Sequence, residues 1–283
     1  MSSLPRLSRW LSVAAFALVA ASCSQVVEEA DLFYPSGRVL PMPAETVIRT
    51  NVELPIPGGE GGHLRGWLFT PKESRGGLLY LYGNGQRAHR VAGRLHWLAE
   101  TFALEVLCID YRGYGFSDGS PTRETLLSDA VAVHDFLAER RADGGPLFLY
   151  GRSLGSIPAI HVSAAREVDG LILEGAPSSA AEVIRTWDSY ASWALRWLIR
   201  VRPSRELVEL RPQPVDRIRD VTAPLLSIHG ELDQRVPVRF GRKLFDAAGS
   251  SRKSWCLVEG AGHNNLEIRS GPALECLREF LER

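Results

Sequence analysis

Charge of neither sign predominates in this chain. Its 33 lysines and arginines are matched by 33 aspartates and glutamates, so no net field draws it to nucleic acid, and no nucleic-acid partner is expected. Long apolar runs are also missing: the stretch Leu11–Ala21 falls well short of the roughly 20 residues a membrane-spanning helix needs. Internal repeats, low-complexity tracts and clustered metal ligands are absent from the sequence, so neither a metal nor a cofactor is expected. The glycine-rich turn Gly83-Asn84-Gly85 lacks both the Walker lysine spacing and the Gly-x-Gly-x-x-Gly pattern, which sets a phosphate cradle aside.

Cysteine is scarce too, four residues in 283. One stands in an informative place. Met1–Trp10 carries Arg6 and Arg9 and no acid; the small apolar residues of Leu11–Ala21 follow, then Ser22 and Cys23. A charged start followed by a short apolar core is the pattern of an export signal. The small residues before Cys23 resemble the lipobox of bacterial lipoprotein precursors. That resemblance implies residues 1–22 as a signal peptide, an acylated Cys23, and residues 23–43 as a spacer holding the domain at a membrane. An ordinary signal peptide cleaved near Ala21 or Ser22 leaves the alternative of a secreted soluble protein. Cys108, Cys256 and Cys276 remain. An odd number cannot all pair; Cys108 and Cys256 fall in buried strands and are expected to act as small hydrophobes, while Cys276 on the last helix could come near Cys256, leaving a single disulfide between them as the alternative in an oxidising compartment.

From Val47 the pattern is a pair of antiparallel strands, Val47–Thr50 and Leu64–Phe69, joined by a turn. Short apolar runs then recur at Leu78–Tyr82, Val106–Ile109, Leu147–Tyr150, Leu171–Leu173, Leu225–Ile228 and Trp255–Val258. Without polar alternation they read as parallel strands covered on both faces. Helical spacing fills the gaps at 86–102, 122–142, 156–166, 238–248 and 271–282. Strand alternating with helix predicts an α/β domain over 44–283, with a mostly parallel sheet and helices on both faces. The interruption is 178–214, long for a connection and carrying Trp187, Trp193 and Trp197. It is expected to be a short helical cap whose Trp193 and Trp197 line an acyl pocket; the alternative is a helix packed on the sheet edge.

The chemistry is read from Gly151-Arg152-Ser153-Leu154-Gly155, directly after an apolar run and before a helix. Glycines two before and two after a serine permit the sharp strand-to-helix turn that holds its hydroxyl clear of the backbone. Ser153 is the candidate nucleophile. A second match, Gly115-Phe116-Ser117-Asp118-Gly119, lies several residues beyond its strand and is set aside. A serine needs a base, and His263 follows the last predicted strand. It needs an acid to orient that base, and Asp233 follows the strand before; Glu231 and Glu174 are rivals for this role. The amides of Leu154 and Asn84 are expected to form an oxyanion hole.

With these residues in place, the chain resembles the α/β-hydrolase superfamily, and within it the branch of fungal bud-emergence-type hydrolases and mammalian α/β-hydrolase-domain depalmitoylases. Phe33-Tyr34-Pro35-Ser36, Tyr82-Gly83-Asn84-Gly85, Asp110-Tyr111-Arg112-Gly113-Tyr114-Gly115, the Ser153 motif, Ile228-His229-Gly230-Glu231-Leu232-Asp233 and Gly262-His263-Asn264 carry the resemblance. It implies the α/β-hydrolase fold and a triad of Ser153, Asp233 and His263. The branch usually has histidine where Tyr82 stands, which puts Tyr82 at the oxyanion turn and the edge of the pocket. The expected activity is hydrolysis of a small-molecule or lipid acyl ester or thioester. A peptidase of the prolyl-oligopeptidase or aminopeptidase kind, and a non-catalytic binding module, are the alternatives.

Overall fold

Continuous apolar runs can be satisfied only where both faces of a strand are covered, and that requirement organises the domain. The computed structural model describes residues 24–29, 31, 33, 47–59, 61–141, 144–186 and 200–282. Its strands are β1 (Ser24–Val27), β2 (Val47–Pro55), β3 (His63–Pro71), β4 (Gly76–Leu81), β5 (Leu104–Ile109), β6 (Leu147–Arg152), β7 (Gly170–Glu174), β8 (Arg200–Pro203), β9 (Leu225–Gly230) and β10 (Lys253–Val258). The helices are α1 (Ala88–Phe102), α2 (Arg123–Arg140), α3 (Ser156–Ser163), α4 (Ala180–Ile184), α5 (Arg205–Glu209), α6 (Pro214–Arg217), α7 (Val238–Ala247) and α8 (Gly271–Leu281).

Eight strands form one sheet in the order β10-β9-β7-β6-β4-β5-β3-β2. β2 and β3 form the expected antiparallel pair, and β3 is antiparallel to β5; the rest pair in parallel. β4, β5, β6, β7 and β9 are buried at every position. Helix α1 packs over β5 and β3 and buries Val91, Leu95 and Leu98, the residues whose spacing predicts it. Helix α2 starts where Thr122 accepts from the Thr125 amide and the Thr125 side chain reciprocates, a capping box.

The order places β4 between β5 and β6, so consecutive crossovers leave on opposite sides and open a crevice at the carboxyl ends. The register brings the site loops there. Leu81 lies opposite Gly151, Arg152 opposite Glu174, Glu174 opposite Ile228, and Gly230 opposite Val258. The chain after each of β4, β6, β9 and β10 therefore emerges at one edge.

Two expectations are changed. Cys256 and Cys276 are joined by a disulfide rather than free: β10 and α8 pack side by side, which brings residues 20 apart in sequence within bonding reach. Cys108 is free and buried, as expected. Residues 24–27, assigned to the spacer, form β1, paired in parallel with β8. The insertion around 178–214 contains α4, β8 and α5 among its described residues; Trp187, Trp193 and Trp197 lie outside the described residues, as do residues 1–22 and Cys23.

Candidate active site

The chain turns from β6 into a single 3-10 turn and then α3 with Ser153 at φ 51°. A non-glycine residue there stores roughly 1–3 kcal/mol of strain. The flanking glycines are what allow so sharp an approach. A Cβ on Gly151 would lie 2.6 Å from Ser156 Cα, and one on Gly155 would overlap the carbonyl oxygen of Leu81 in β4. Gly155→Ala is therefore expected to lower stability by about 1–3 kcal/mol through overpacking, read as a lower urea midpoint, and to lower activity by displacing the elbow.

Ser153 Oγ stands 2.9 Å from His263 Nε2, and His263 Nδ1 stands 2.6 Å from Asp233 Oδ2. Asp233 is buried, and its other oxygen accepts from the Val236 amide at 2.8 Å. An ionised carboxylate can only accept, so the proton on His263 sits at Nδ1. Nε2 is left to accept from the Ser153 hydroxyl. The three residues picked out along 110 positions of sequence thus form one directed relay. His229 lies close, 3.6 Å from Asp233 Oδ2, but its Nε2 is 2.8 Å from the Val236 carbonyl. Burial pushes its pKa down and keeps it neutral, so it does not compete as a cation for Asp233.

The rival acids are committed elsewhere. Glu231 accepts from the Gly260 amide at the surface. Glu174 is fully buried and held by Arg94 at 2.5 Å, Arg152 at 2.9 Å and the Tyr150 hydroxyl at 2.5 Å. Burial alone would raise its pKa; the two guanidinium groups and the hydroxyl overcome this and hold it at about 2. Ser117 is buried too, bonding the Asp110 carbonyl and the Arg65 amide.

Arg152 is a residue the motif reading passed over. From within the elbow its guanidinium donates to Glu174, to Gln86 Oε1 at 3.1 Å and to the His263 carbonyl at 2.9 Å. Gln86 Oε1 also accepts from the Gly83 amide at 3.3 Å. One buried fork therefore links the turn after β4, the serine elbow and the histidine loop. Its position inside the Gly-x-Ser-x-Gly motif is the only sequence signal for it. Glu174→Gln leaves two buried cations short of a counter-charge and is expected to cost roughly 3 kcal/mol of stability. Because the folded-state pKa lies below the usual 4.5, this stabilisation is complete above pH 4.5 and fades as pH falls towards 2. Urea melts of both proteins across that range check it: their midpoints should converge on acidification.

A cavity of about 540 Å³ opens over Ser153 and His263. Leu154, Ile157, Val183, Ile184 and Val236 give it an apolar wall. Asn84 and Leu154, the expected oxyanion residues, both line it, and the Tyr114 hydroxyl donates to Asn84 Oδ1 at 2.8 Å. Tyr82 is not at the pocket edge. It is fully buried beneath the turn, where its hydroxyl donates to Asp110 at 3.0 Å and accepts from the Tyr111 amide at 3.0 Å. A phenol is long enough to reach that strand end, and the buried carboxylate there requires a donor. Asp110 also accepts from the Ala88 amide at 2.7 Å, so the Tyr82–Asp110 pair fixes the start of α1 behind the turn. Among the described residues no cluster of His, Cys, Asp and Glu is arranged to hold a metal.

A family model described as serine aminopeptidase, S33 matches residues 72–215, just over half of the chain. The chain belongs to the α/β-hydrolase family. This α/β hydrolase is 31% identical over 257 residues to the uncharacterized protein Rv2307c of Mycobacterium tuberculosis, covering 88% of this chain and 85% of the relative. It is 28% identical over 210 residues to human alpha/beta hydrolase domain-containing protein 17B, covering 73% of this chain and 66% of that protein. The fold is shared with the esterase Pf2001 of Pyrococcus furiosus, at a TM-score of 0.68 and 18% identity over 89% of this chain and 98% of the other.

Proposed function

We propose that this hydrolase cleaves a carboxylic ester or thioester through an acyl-enzyme on Ser153. The observation that carries the reading is the Ser153–His263–Asp233 relay, whose serine and histidine line a cavity with one apolar wall. Ser153 Oγ attacks the carbonyl carbon while its proton passes to His263 Nε2, and Asp233 stabilises the imidazolium that forms. The negative charge that develops on the carbonyl oxygen is taken by the amides of Asn84 and Leu154. Collapse expels the alcohol or thiol, which receives the proton from His263. Water, deprotonated by His263, then attacks the acyl-enzyme, and the free acid leaves with Ser153 restored. No step draws on a metal or cofactor.

The family description favours an aminopeptidase as the second reading. Such an enzyme must hold the α-ammonium of its substrate, which calls for a carboxylate in the pocket. The described residues lining the cavity include no aspartate or glutamate, while Arg152 and Arg235 are present. This supports the ester. The test is turnover of p-nitrophenyl esters from acetyl to palmitoyl beside an aminoacyl p-nitroanilide. Ester turnover with a chain-length optimum is expected. Anilide turnover without ester preference moves the assignment to a peptidase, and silence of the folded protein on both substrates returns it to a binding module.

Export with a lipid anchor on Cys23 belongs to the same proposal. The Cys256–Cys276 disulfide supports it, because such bonds persist in oxidising compartments and not in most cytosols. Among the described residues no helix is long and apolar enough to cross a membrane, so in this reading the acyl chains supply the attachment.

A further inference from the structure

The cavity over Ser153 is lined by two kinds of residue. Leu154, Ile157, Val183, Ile184 and Val236 are apolar, while Asn84, Gln86, Asn264 and Arg235 bring polar groups. Arg152 and Arg235 are its arginines, and among the described residues no carboxylate lines it. The two arginines differ in their commitments. The Arg152 guanidinium is engaged by Glu174, Gln86 and the His263 carbonyl. Arg235 is exposed, and among the described residues its side chain has neither an ion pair nor a hydrogen bond.

The carboxylates around the site do not answer that charge. Asp233 is buried and bonded to His263 and to the Val236 amide. Glu182, on α4 beside Val183, is held by Lys243 and Ser178. Glu174 lies between Arg94 and Arg152. Glu231, Glu259 and Glu267, on the loops after β9 and β10, do not line the cavity. The chain as a whole has no net charge, so Arg235 is a local feature and not part of a general positive field.

The backbone of Arg235 is fixed from both sides. It stands within the turn that Asp233 closes on the Val236 amide at 2.8 Å, and the Val236 carbonyl is 2.8 Å from the buried His229 Nε2. The groups that set the relay acid therefore also set where this side chain starts. A guanidinium that meets no acid of its own chain presents a planar fork of N–H donors, which matches the paired oxygens of a carboxylate or phosphate.

We infer that Arg235 recognises an anion on the substrate: the ester or thioester carries a carboxylate or phosphate that meets this guanidinium, while its apolar part lies along Leu154, Ile157, Val183 and Ile184. This rests on the serine-hydrolase reading. A substrate bearing an ammonium group meets Arg235 as a like charge, so the residue selects by repulsion as well as by attraction.

The anion can stand on the acid half or on the alcohol half of the ester, and the test has an arm for each. The first compares mono-p-nitrophenyl adipate with p-nitrophenyl hexanoate. The second compares glycerol monohexanoate 3-phosphate with glycerol monohexanoate. In each arm kcat/KM is measured near neutral pH, where both anions are ionised. Wild-type protein should prefer the anionic member about fivefold to tenfold in one arm, which assigns the half that carries the charge. Arg235→Gln should abolish the preference, Arg235→Glu should reverse it, and Arg235→Lys should keep part of it. In 1 M sodium chloride, where the screening length falls to about 3 Å, the wild-type preference should shrink. The preference is a ratio within one protein, so a smaller folded fraction in a variant leaves it unchanged. Wild-type protein with no anionic preference in either arm overturns the inference, as does a preference that survives Arg235→Gln. Folded wild-type protein silent on all four esters overturns the serine-hydrolase reading itself, an outcome distinct from turnover without preference.

Discussion

Ser153→Ala should reduce ester turnover by a factor of about 10⁴–10⁶ while leaving the protein folded, because removal of a relay nucleophile leaves only binding and the oxyanion amides to act. The methyl group fits wherever the serine Cβ fits, and the backbone at φ 51° stays strained. Ser153→Gly makes the complementary point. Glycine adopts that angle without penalty, so this variant should be as inactive and yet more stable than Ser153→Ala by roughly 1 kcal/mol. Urea midpoints for the two variants, measured beside turnover, separate the chemical role of the side chain from the strain of the elbow. Equal midpoints would mean that the elbow is not strained in solution.

Asp233→Asn should cut turnover by about 10⁴ with little change in KM. The geometry dictates how. Oδ1 of Asp233 is engaged by the Val236 amide, which requires an acceptor and so keeps the asparagine oxygen on that side. The asparagine amide nitrogen then faces His263 Nδ1 in place of Oδ2. A donor there forces the proton of the imidazole to Nε2, where it opposes the Ser153 hydroxyl instead of accepting from it. The fold is retained because size and the Val236 bond are unchanged. Neither rival carboxylate is placed to take over: Glu174 is locked between Arg94 and Arg152, and Glu231 accepts from Gly260. Near-normal turnover in Asp233→Asn would show that some other group orients His263.

The central strands were legible because they are buried on both faces; the edge strand β10, expected to be covered as well, is exposed at Ser254 and Leu257 because only β9 flanks it. Leu147–Tyr150 and Leu225–Ile228 offer no polar alternation, and a covered strand is the only short element that tolerates this. The three relay residues were legible for a related reason: each follows a parallel strand of the sheet, and the ends of such strands converge at a crevice whatever lies between them in sequence. What depends on distance in space was not legible. The sequence left the pairing of Cys256 and Cys276 open, because only the packing of α8 along β10 decides it. Arg94 and Glu174 are 80 positions apart, and nothing in either local pattern pairs them. Tyr82 was assigned to the pocket because the resembling branch usually has histidine there, yet its hydroxyl points down to Asp110 and not outward. β1 is four residues long, too short for a periodicity to declare it, and its partner β8 lies in the insert at the other side of the relay serine in sequence.

The most direct measurement is labelling of the folded protein with a fluorophosphonate probe, followed by peptide mass spectrometry to locate the adduct. The relay predicts a single adduct on Ser153, absent in Ser153→Ala and formed far more slowly in Asp233→Asn. An adduct on Ser117, or none on a protein shown to be folded, would contradict the assignment of Ser153 as the nucleophile of this hydrolase.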